Sequence, residues 1–392
     1  MSAGRRIKWS GTRTRLTWAG WVYSVMTTLL AVGALKVQVP LLYLLVGGMM
    51  GALLISALLA RRMVRYLRLE RDAPSRVWQN QIVHVGYYLR NTQWGTCLSL
   101  TLRERGDGAL HAARAYLACL GSRGTARAGG RFVARRRGPM TLGAVDVSSD
   151  FPFSLVRASR RLDCPVELLV WPGRGRLKRP LLHRGAVEVS TAAPSPVSGG
   201  ADDFFGLRDY RGGDNPRWIH WRRSAGRTVP VLREMSRPVP DLLYVLLDTQ
   251  ADPADTRQLQ QLERMIRFCA TLVHYAIWRD YQVGLGLAYP EEPRVVPAAP
   301  GRGQLHKLLD CLALVGVNPQ RGLEEVAERL TRAQLRYAQV VLLAGRRDHL
   351  GPGVWGPLRQ GCRHLTVLTP AQLDAFYEDE PLSAAPAAAG GQ

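Results

Sequence analysis

The 392-residue chain carries a formal net charge of +22, with 46% hydrophobic and 21% charged residues. That balance excludes a wholly disordered chain, and the length asks for two or three domains at roughly 100–200 residues each. The charge is almost entirely arginine, Lys occurring only at Lys8, Lys36, Lys178 and Lys307, and it is scattered with no recognition helix, zinc finger or RNA-binding aromatic motif beside it; the expected anionic partners are lipid headgroups or acidic proteins, not nucleic acid.

Residues 1–17 form a basic N-terminal stretch containing Arg5, Arg6, Lys8, Arg13 and Arg15. Two apolar runs follow, Trp18 to Leu35 and Pro40 to Ala60, each near the ~20 residues a spanning helix needs. Only Lys36 to Val39 separate them, which predicts a transmembrane helical hairpin over 18–60. Trp18, Trp21 and Tyr23 stand where interfacial rings are favoured, and Gly47 and Gly51 offer a spacing for close helix approach. Arg61, Arg62, Arg65 and Arg68 follow the second span. With basic residues on both flanks and one Lys between, the soluble part is expected in the cytoplasm, at a bacterial inner membrane.

From 61 to 173 short runs rich in Val, Leu, Thr and Tyr alternate with turn residues. Ile82–Leu89, Thr96–Leu102, Met140–Val147 and Glu167–Val170 read as strands, and a small antiparallel β-sandwich is the economical way to bury them. Residues 174–200, rich in Pro, Gly, Ser and Ala, read as a linker. Cys97, Cys119, Cys164, Cys269, Cys311 and Cys362 form no CxxC pair and are expected to be buried thiols.

Residues 201–380 alternate strand and helix: strands at Asp241–Leu247, Tyr281–Ala288, Gln339–Leu343 and His364–Leu368, helices at Thr256–Asp280, Gln304–Leu314, Leu323–Leu335 and Ala371–Tyr377. Leu259, Leu262, Ile266, Cys269, Val273 and Ile277 give the first helix an apolar stripe. The pattern is that of a doubly wound α/β domain, whose ligands bind at the carboxyl ends of strands; Asp248 ends the first. The tail 381–392 is expected to be disordered.

The densest segment opens this last domain and reads ADDFFGLRDYRGGDNPRWIHWRRSAGR from Ala201. Gly212 and Gly213 permit a tight turn. Asp214 is a helix cap with Pro216 in the first turn, and Trp218, Trp221 and Ala225 then share one helical face until Gly226. On this reading Trp221 packs into a core, His220 is structural, and Arg208, Asp209 and Asp214 form an ion-pair network. The arginines around it either lock the element in place or form a recognition surface.

The run Gly206-Leu207-Arg208-Asp209-Tyr210-Arg211, then Gly213-Asp214, Arg217, Ile219, Trp221 and Ser224-Ala225 closely resembles the signature of the DUF 58 family. Arg137-Gly138-Pro139, Phe151-Pro152-Phe153 with Leu155, and Val170-Trp171-Pro172 resemble its preceding elements. The resemblance implies paired N-terminal spans, an immunoglobulin-like sandwich and a von Willebrand factor A-like α/β domain. It also implies company with MoxR-type AAA+ ATPases and with transglutaminase-like membrane proteins. Arg208, Tyr210, Gly213, Asp214, Arg217, Trp221 and Ser224 are then the candidate motif and partner-binding residues.

The metal site of such domains needs an Asp and two hydroxyls after the first strand. Here Asp248-Thr249-Gln250-Ala251-Asp252 stands in that place, and Gln304 stands for a further Thr ligand. A variant Mg²⁺ site would draw on Asp248, Asp252 and Asp348; the expectation is no cofactor. No nucleophile elbow, P-loop or HExxH motif appears. The expected function is a non-enzymatic membrane adaptor or assembly factor, the alternative a metal-dependent protein-binding module.

Overall fold

The computed structural model describes residues 11–37, 39–104, 114–179, 181–182, 203–236, 241–289, 292–319, 323–330, 332–335, 338–345 and 351–380. The basic residues Arg5, Arg6 and Lys8, most of the expected linker, Asp348 and the tail 381–392 lie outside them. The chain divides into two compact units. One holds residues 1–176, 309–315 and 379–392, and the other holds 177–308 and 316–378.

The first unit begins with strand β1 (Arg13–Leu16), followed by helices α1 (Trp18–Val37) and α2 (Pro40–Arg65). Both helices are long and apolar enough to cross a membrane, with mean hydropathies of 1.4 and 2.2. Their side chains lie largely exposed, as at Leu29 and Leu44, which suits a lipid environment. Pro40 opens α2, where its missing N–H is no loss. A Cβ built on Gly47 or Gly51 would meet no neighbour, so these glycines do not serve a helix contact within the chain. The second helix outlasts the predicted span because Ala60, Met63 and Val64 are buried in the core of the β structure that follows.

That β structure comprises β2 (Leu67–Asp72), β3 (Arg76–Trp78), β4 (Ile82–Asn91), β5 (Cys97–Glu104), β6 (Arg114–Leu120), β7 (Thr125–Val133), β8 (Gly138–Ser149) and β9 (Val156–Trp171). The described strands form one sheet in the order β1-β9-β8-β5-β6, with β3 also on β9, and a second in the order β2-β4-β7. Leu69, Val85, Leu89 and Phe132 of the small sheet share a core with Leu100, Leu142, Val145 and Leu162 of the large one. Each sheet thus buries the other's apolar face. None of the four runs read as strands falls on β2, β3, β6 or β7. In β7, Ala126, Ala128, Gly129 and Gly130 leave little apolar alternation to read.

The chain continues through β10 (Gly175–Leu177) into the second unit. There β11 (Asp203–Asp209) and β12 (Val231–Ser236) form an antiparallel hairpin enclosing a 3-10 turn (Pro216–Trp218) and α3 (Trp221–Ser224). Next come β13 (Leu242–Leu247), α4 (Thr256–Trp278), β14 (Gln282–Leu287), β15 (Arg294–Ala299), α5 (Arg302–Leu314), α6 (Glu324–Arg329), α7 (Arg332–Leu335), β16 (Ala338–Leu343), α8 (Pro352–Gly361), β17 (His364–Leu368), α9 (Pro370–Phe376) and β18 (Tyr377–Asp379), which pairs with β10.

The sheet order is β15-β14-β13-β16-β17, parallel except for β15. The chain leaves β13 first to one side and then to the other, so the switch point falls at the carboxyl end of β13. The stripe predicted for α4 is buried from Leu262 through Ile277. In β14, a Cβ on Gly284 would lie 2.3 Å from the Tyr244 ring and one on Gly286 2.6 Å from Leu246 Cδ2, so β13 needs glycine beside it.

Two helical expectations change. The helix predicted over 323–335 is broken, because Leu330 takes extended backbone while its side chain stays buried in the core. Residues 352–361, with three Gly and two Pro, form a helix that the sequence reading passed over. Pro297 likewise hid β15; proline is tolerated there because β15 is an edge strand. Of the cysteines, Cys97, Cys269 and Cys311 are buried, Cys164 and Cys362 are half-buried, and Cys119 is exposed, against the expectation that all are buried.

Candidate functional site

Two places in the second unit concentrate polar chemistry: the loop between β11 and β12, and the carboxyl ends of the parallel strands.

The loop is built around Asp214. Arg208, near the end of β11, donates two hydrogen bonds to its carboxylate, both of 2.7 Å. The backbone N–H of Arg211 donates a third at 2.9 Å. Tyr210 donates its hydroxyl to the Asp214 carbonyl at 3.2 Å. Gly213 at φ +103° makes this close return possible. The continuous helix expected from Asp214 does not form. Asn215, not Asp214, caps the 3-10 turn, and His220 caps α3, its Nδ1 accepting from the Arg223 N–H at 3.3 Å. Ser224 donates to the His220 carbonyl at 3.1 Å and accepts from the Val231 N–H at 2.8 Å. Gly226, at φ +86°, turns the chain out of α3.

Arg208, Tyr210, Gly213, Asp214, His220 and Ser224 are therefore engaged in shaping the loop. Among the described residues, Asp209 joins the expected ion-pair network only through its backbone carbonyl, which accepts from Arg208 at 3.3 Å. Trp221 is not a core residue: it is 68% exposed. With only four residues, α3 is too short to turn Trp221 onto the face that a longer helix would have buried. Arg211, Arg217, Arg222, Arg223 and Arg227 are exposed around it, and no described carboxylate pairs with any of them. Leu207, Arg208, Asp209, Arg223, Arg227 and Val231 line an open cleft of 410 Å³.

Asp248, buried at the end of β13, accepts the Gln250 N–H at 2.9 Å. Thr249 donates to the Ala288 carbonyl. Asp252 is exposed and closes a turn by accepting the Ala254 N–H at 2.9 Å. Gln304 does not reach this end of the sheet. It donates to the carbonyls of Val283, early in β14, and Pro297. Asn318, which sequence reading missed, sits here instead: its N–H donates to the Thr249 carbonyl at 3.0 Å and its carbonyl accepts from Ala251 at 3.3 Å. A crevice of 340 Å³ opens beside these residues, lined by Gln250, Asp255, Arg257, Gln258, Gly345 and Thr369. The Asp255 carboxyl is held below its ordinary range by the N–H groups of Gln258 and Arg257 that it caps.

Residues 206–373 match the family model described as "Protein of unknown function DUF58". This stretch is similar to the DUF58 family. No curated protein gives a significant match. Among solved structures, the chain is similar to the CARDB domain of a Pyrococcus furiosus protein determined by NMR. The identity is 11%, over 27% of this chain and 94% of that one, at a TM-score of 0.19. A crystal structure of that domain in complex with di-metal ions gives 14%, 26%, 86% and 0.20. An alkylpurine DNA glycosylase of Pseudomonas fluorescens bound to abasic-site DNA gives 13%, 30%, 35% and 0.17. Scores this low lend these likenesses no weight in the functional reading.

The DUF58 match therefore spans both the signature loop and the strand-end crevice. The two places differ in what they offer. A hard cation wants several convergent oxygens, and no group of three His, Cys, Asp or Glu side chains gathers among the described residues. Asp248 and Asp252 both accept backbone N–H groups, Gln304 is elsewhere, and Asp348 lies outside the described residues. The described residues do not fit the Mg²⁺ site that the resemblance implies. The loop instead offers an exposed indole in a segment that also carries five exposed arginines.

Acid should loosen that loop. The bidentate bonds from Arg208, with the Arg211 N–H, hold the Asp214 carboxyl below its ordinary range. A depressed carboxylate stabilises the fold above its unfolded pKa of about 4, and the contribution fades as pH falls through the folded value. Hydrogen exchange over residues 208–231 should therefore accelerate below about pH 4. Asp214→Asn should exchange faster at neutral pH and lose most of that pH dependence.

Proposed function

We propose that this DUF58 chain is a non-enzymatic adaptor or assembly factor, anchored in the inner membrane of a bacterium with its soluble units in the cytoplasm. Its signature loop docks an acidic surface of a AAA+ ATPase of the MoxR type, and the pair acts on client protein complexes. A transglutaminase-like membrane protein is a further partner in keeping with the family resemblance. On this reading the two packed sheets are an immunoglobulin-like sandwich and the parallel sheet is a von Willebrand factor A-like domain.

The observation that carries the proposal is Trp221, exposed among Arg217, Arg222 and Arg223 on a loop whose other motif residues are engaged internally. Tryptophan and arginine dominate the few positions that supply most interface energy. Guanidinium groups that pair with no described carboxylate favour a carboxylate-rich partner.

The test is a pull-down of the full chain from its own membranes after mild crosslinking, read by mass spectrometry, alongside Trp221→Ala and Arg217→Glu. An ATPase of this class should come down with the unaltered chain and fall at least about tenfold with Trp221→Ala, the loss expected of a central hot spot. Because Trp221 is exposed, its truncation leaves the fold intact. Equal recovery from all three chains would assign the loop a purely structural role, and an unaltered chain that captures no such ATPase would end the proposal.

A further inference from the structure

We propose that the first unit makes a second, peripheral contact with the bilayer: two loops of the β structure, carrying Trp94 and Phe153, insert into the anionic headgroup layer around the base of the hairpin. The proposal rests on the membrane-anchor reading and adds to it a surface that no spanning helix provides.

The first loop joins β4 to β5. Thr92 donates through both its N–H and its hydroxyl to the Tyr66 carbonyl, and the Gln93 side chain donates to the Arg62 carbonyl at 3.1 Å. These bonds tie the loop to the end of α2, at the level where its apolar sequence gives way to Arg61 and Arg62. Trp94 projects from this loop 76% exposed, with the Arg123 guanidinium 3.6 Å from its ring centroid.

The second loop joins β8 to β9 and meets the start of α1. Thr17 donates its N–H to the Leu155 carbonyl at 3.0 Å and its hydroxyl to the Ser154 carbonyl at 2.5 Å. A Cβ on Gly20 would lie 1.9 Å from the Leu155 oxygen, so the helix and this loop are in direct backbone contact. Phe153 stands at its tip, 57% exposed. Arg61 donates to Thr14 at 3.1 Å, which brings the base of α2 beside β1, the strand that leads into α1.

Both aromatic tips are thus fixed to the two ends of one hairpin, at the depth of Trp18 and of Arg61. Exposed aromatic rings with a polar or charged companion belong to the membrane interface. Around them Arg13, Arg15, Arg61, Arg62 and Arg123 are exposed. Asp150, in the second loop, is already paired with Arg157 at 3.0 Å. Arginines held at a membrane surface attract anionic phospholipid, each worth about 1 kcal/mol.

Site-specific photocrosslinking on the full chain in nanodiscs tests this. A benzophenone amino acid is placed in turn at Trp94, Phe153, Leu44 and Tyr116, in zwitterionic discs with and without phosphatidylglycerol. Leu44 lies within the second span. Tyr116 is exposed but sits on β6 opposite Thr101, four residues beyond the start of β5. Lipid adducts are expected at positions 94 and 153, several-fold stronger with phosphatidylglycerol, and absent at 116. Adducts at 44 with none at 94 or 153 would overturn the peripheral contact and leave the anchor standing. No adduct at 44 would remove the anchor, and this proposal with it. Equal yields with and without the anionic lipid would overturn the headgroup specificity.

Discussion

Glu104→Ala should be among the most destabilising single changes in the first unit, by about 3–5 kcal/mol, the usual cost of leaving a buried charge without its partner. Arg71 and Glu104 form an ion pair whose side chains are 0% and 1% exposed. Arg71 also donates to the carbonyls of Leu142 at 2.9 Å and Cys164 at 2.7 Å, while the Tyr87 hydroxyl donates to Glu104. Burial pushes the Glu104 carboxyl upward, and Tyr87 and Arg71 hold it back. With Glu104 gone, a guanidinium stays inside the core with no carboxylate to face. The double variant Arg71→Met/Glu104→Leu should be markedly less destabilised than the sum of its single changes, because an apolar pair asks for no desolvation. Denaturant unfolding of the detergent-solubilised full chain measures all three. Additive losses would show that the two residues do not act as a pair.

Leu246→Ala should cost the second unit about 2–5 kcal/mol, the range for truncating a fully buried leucine in a close-packed core. Leu246 is 0% exposed, next to last in β13, and its Cδ2 occupies the space that Gly286 leaves open in β14. The same change should raise hydrogen exchange in β13 and β14 while leaving β8 and β9 of the other unit unmoved. A loss below about 1 kcal/mol would mean the sheet collapses onto the cavity, contrary to the rigidity expected of its parallel centre.

The architecture was legible where residue periodicity is strong and local. Two unbroken apolar runs gave α1 and α2, the three-and-four spacing from Leu262 to Ile277 gave α4, and the apolar run in β13 placed Asp248 at the switch point. It was illegible where the chain relies on neighbours. Gly129 and Gly130 form strand only because β4 pairs with them. Pro297 is admitted because its strand is an edge. At the candidate site, the pairing of Arg208 with Asp214 and the tight turn at Gly213 were visible in spacing alone. The exposure of Trp221 was not, since an indole in helical register with Trp218 reads as packed until Asn215 and His220 each cap a separate turn. Gln304 and Asn318 show the same limit: which of the two residues reaches the end of β13 depends on the course of α5 and the loop after it.

The strand that precedes the two helices carries a topological consequence. Residues Arg13–Leu16 pair antiparallel with Val156–Ser159, on the far side of both helices in sequence. A sheet cannot form across a bilayer, so on the proposed membrane anchoring the chain would cross an even number of times between residues 16 and 156. On that proposal, same-sidedness of the two termini of the hairpin would be enforced by backbone hydrogen bonds as well as by flanking charge. Deleting one helix would strand β1 on the opposite face and leave the edge of β9 open, whatever the arginines favour.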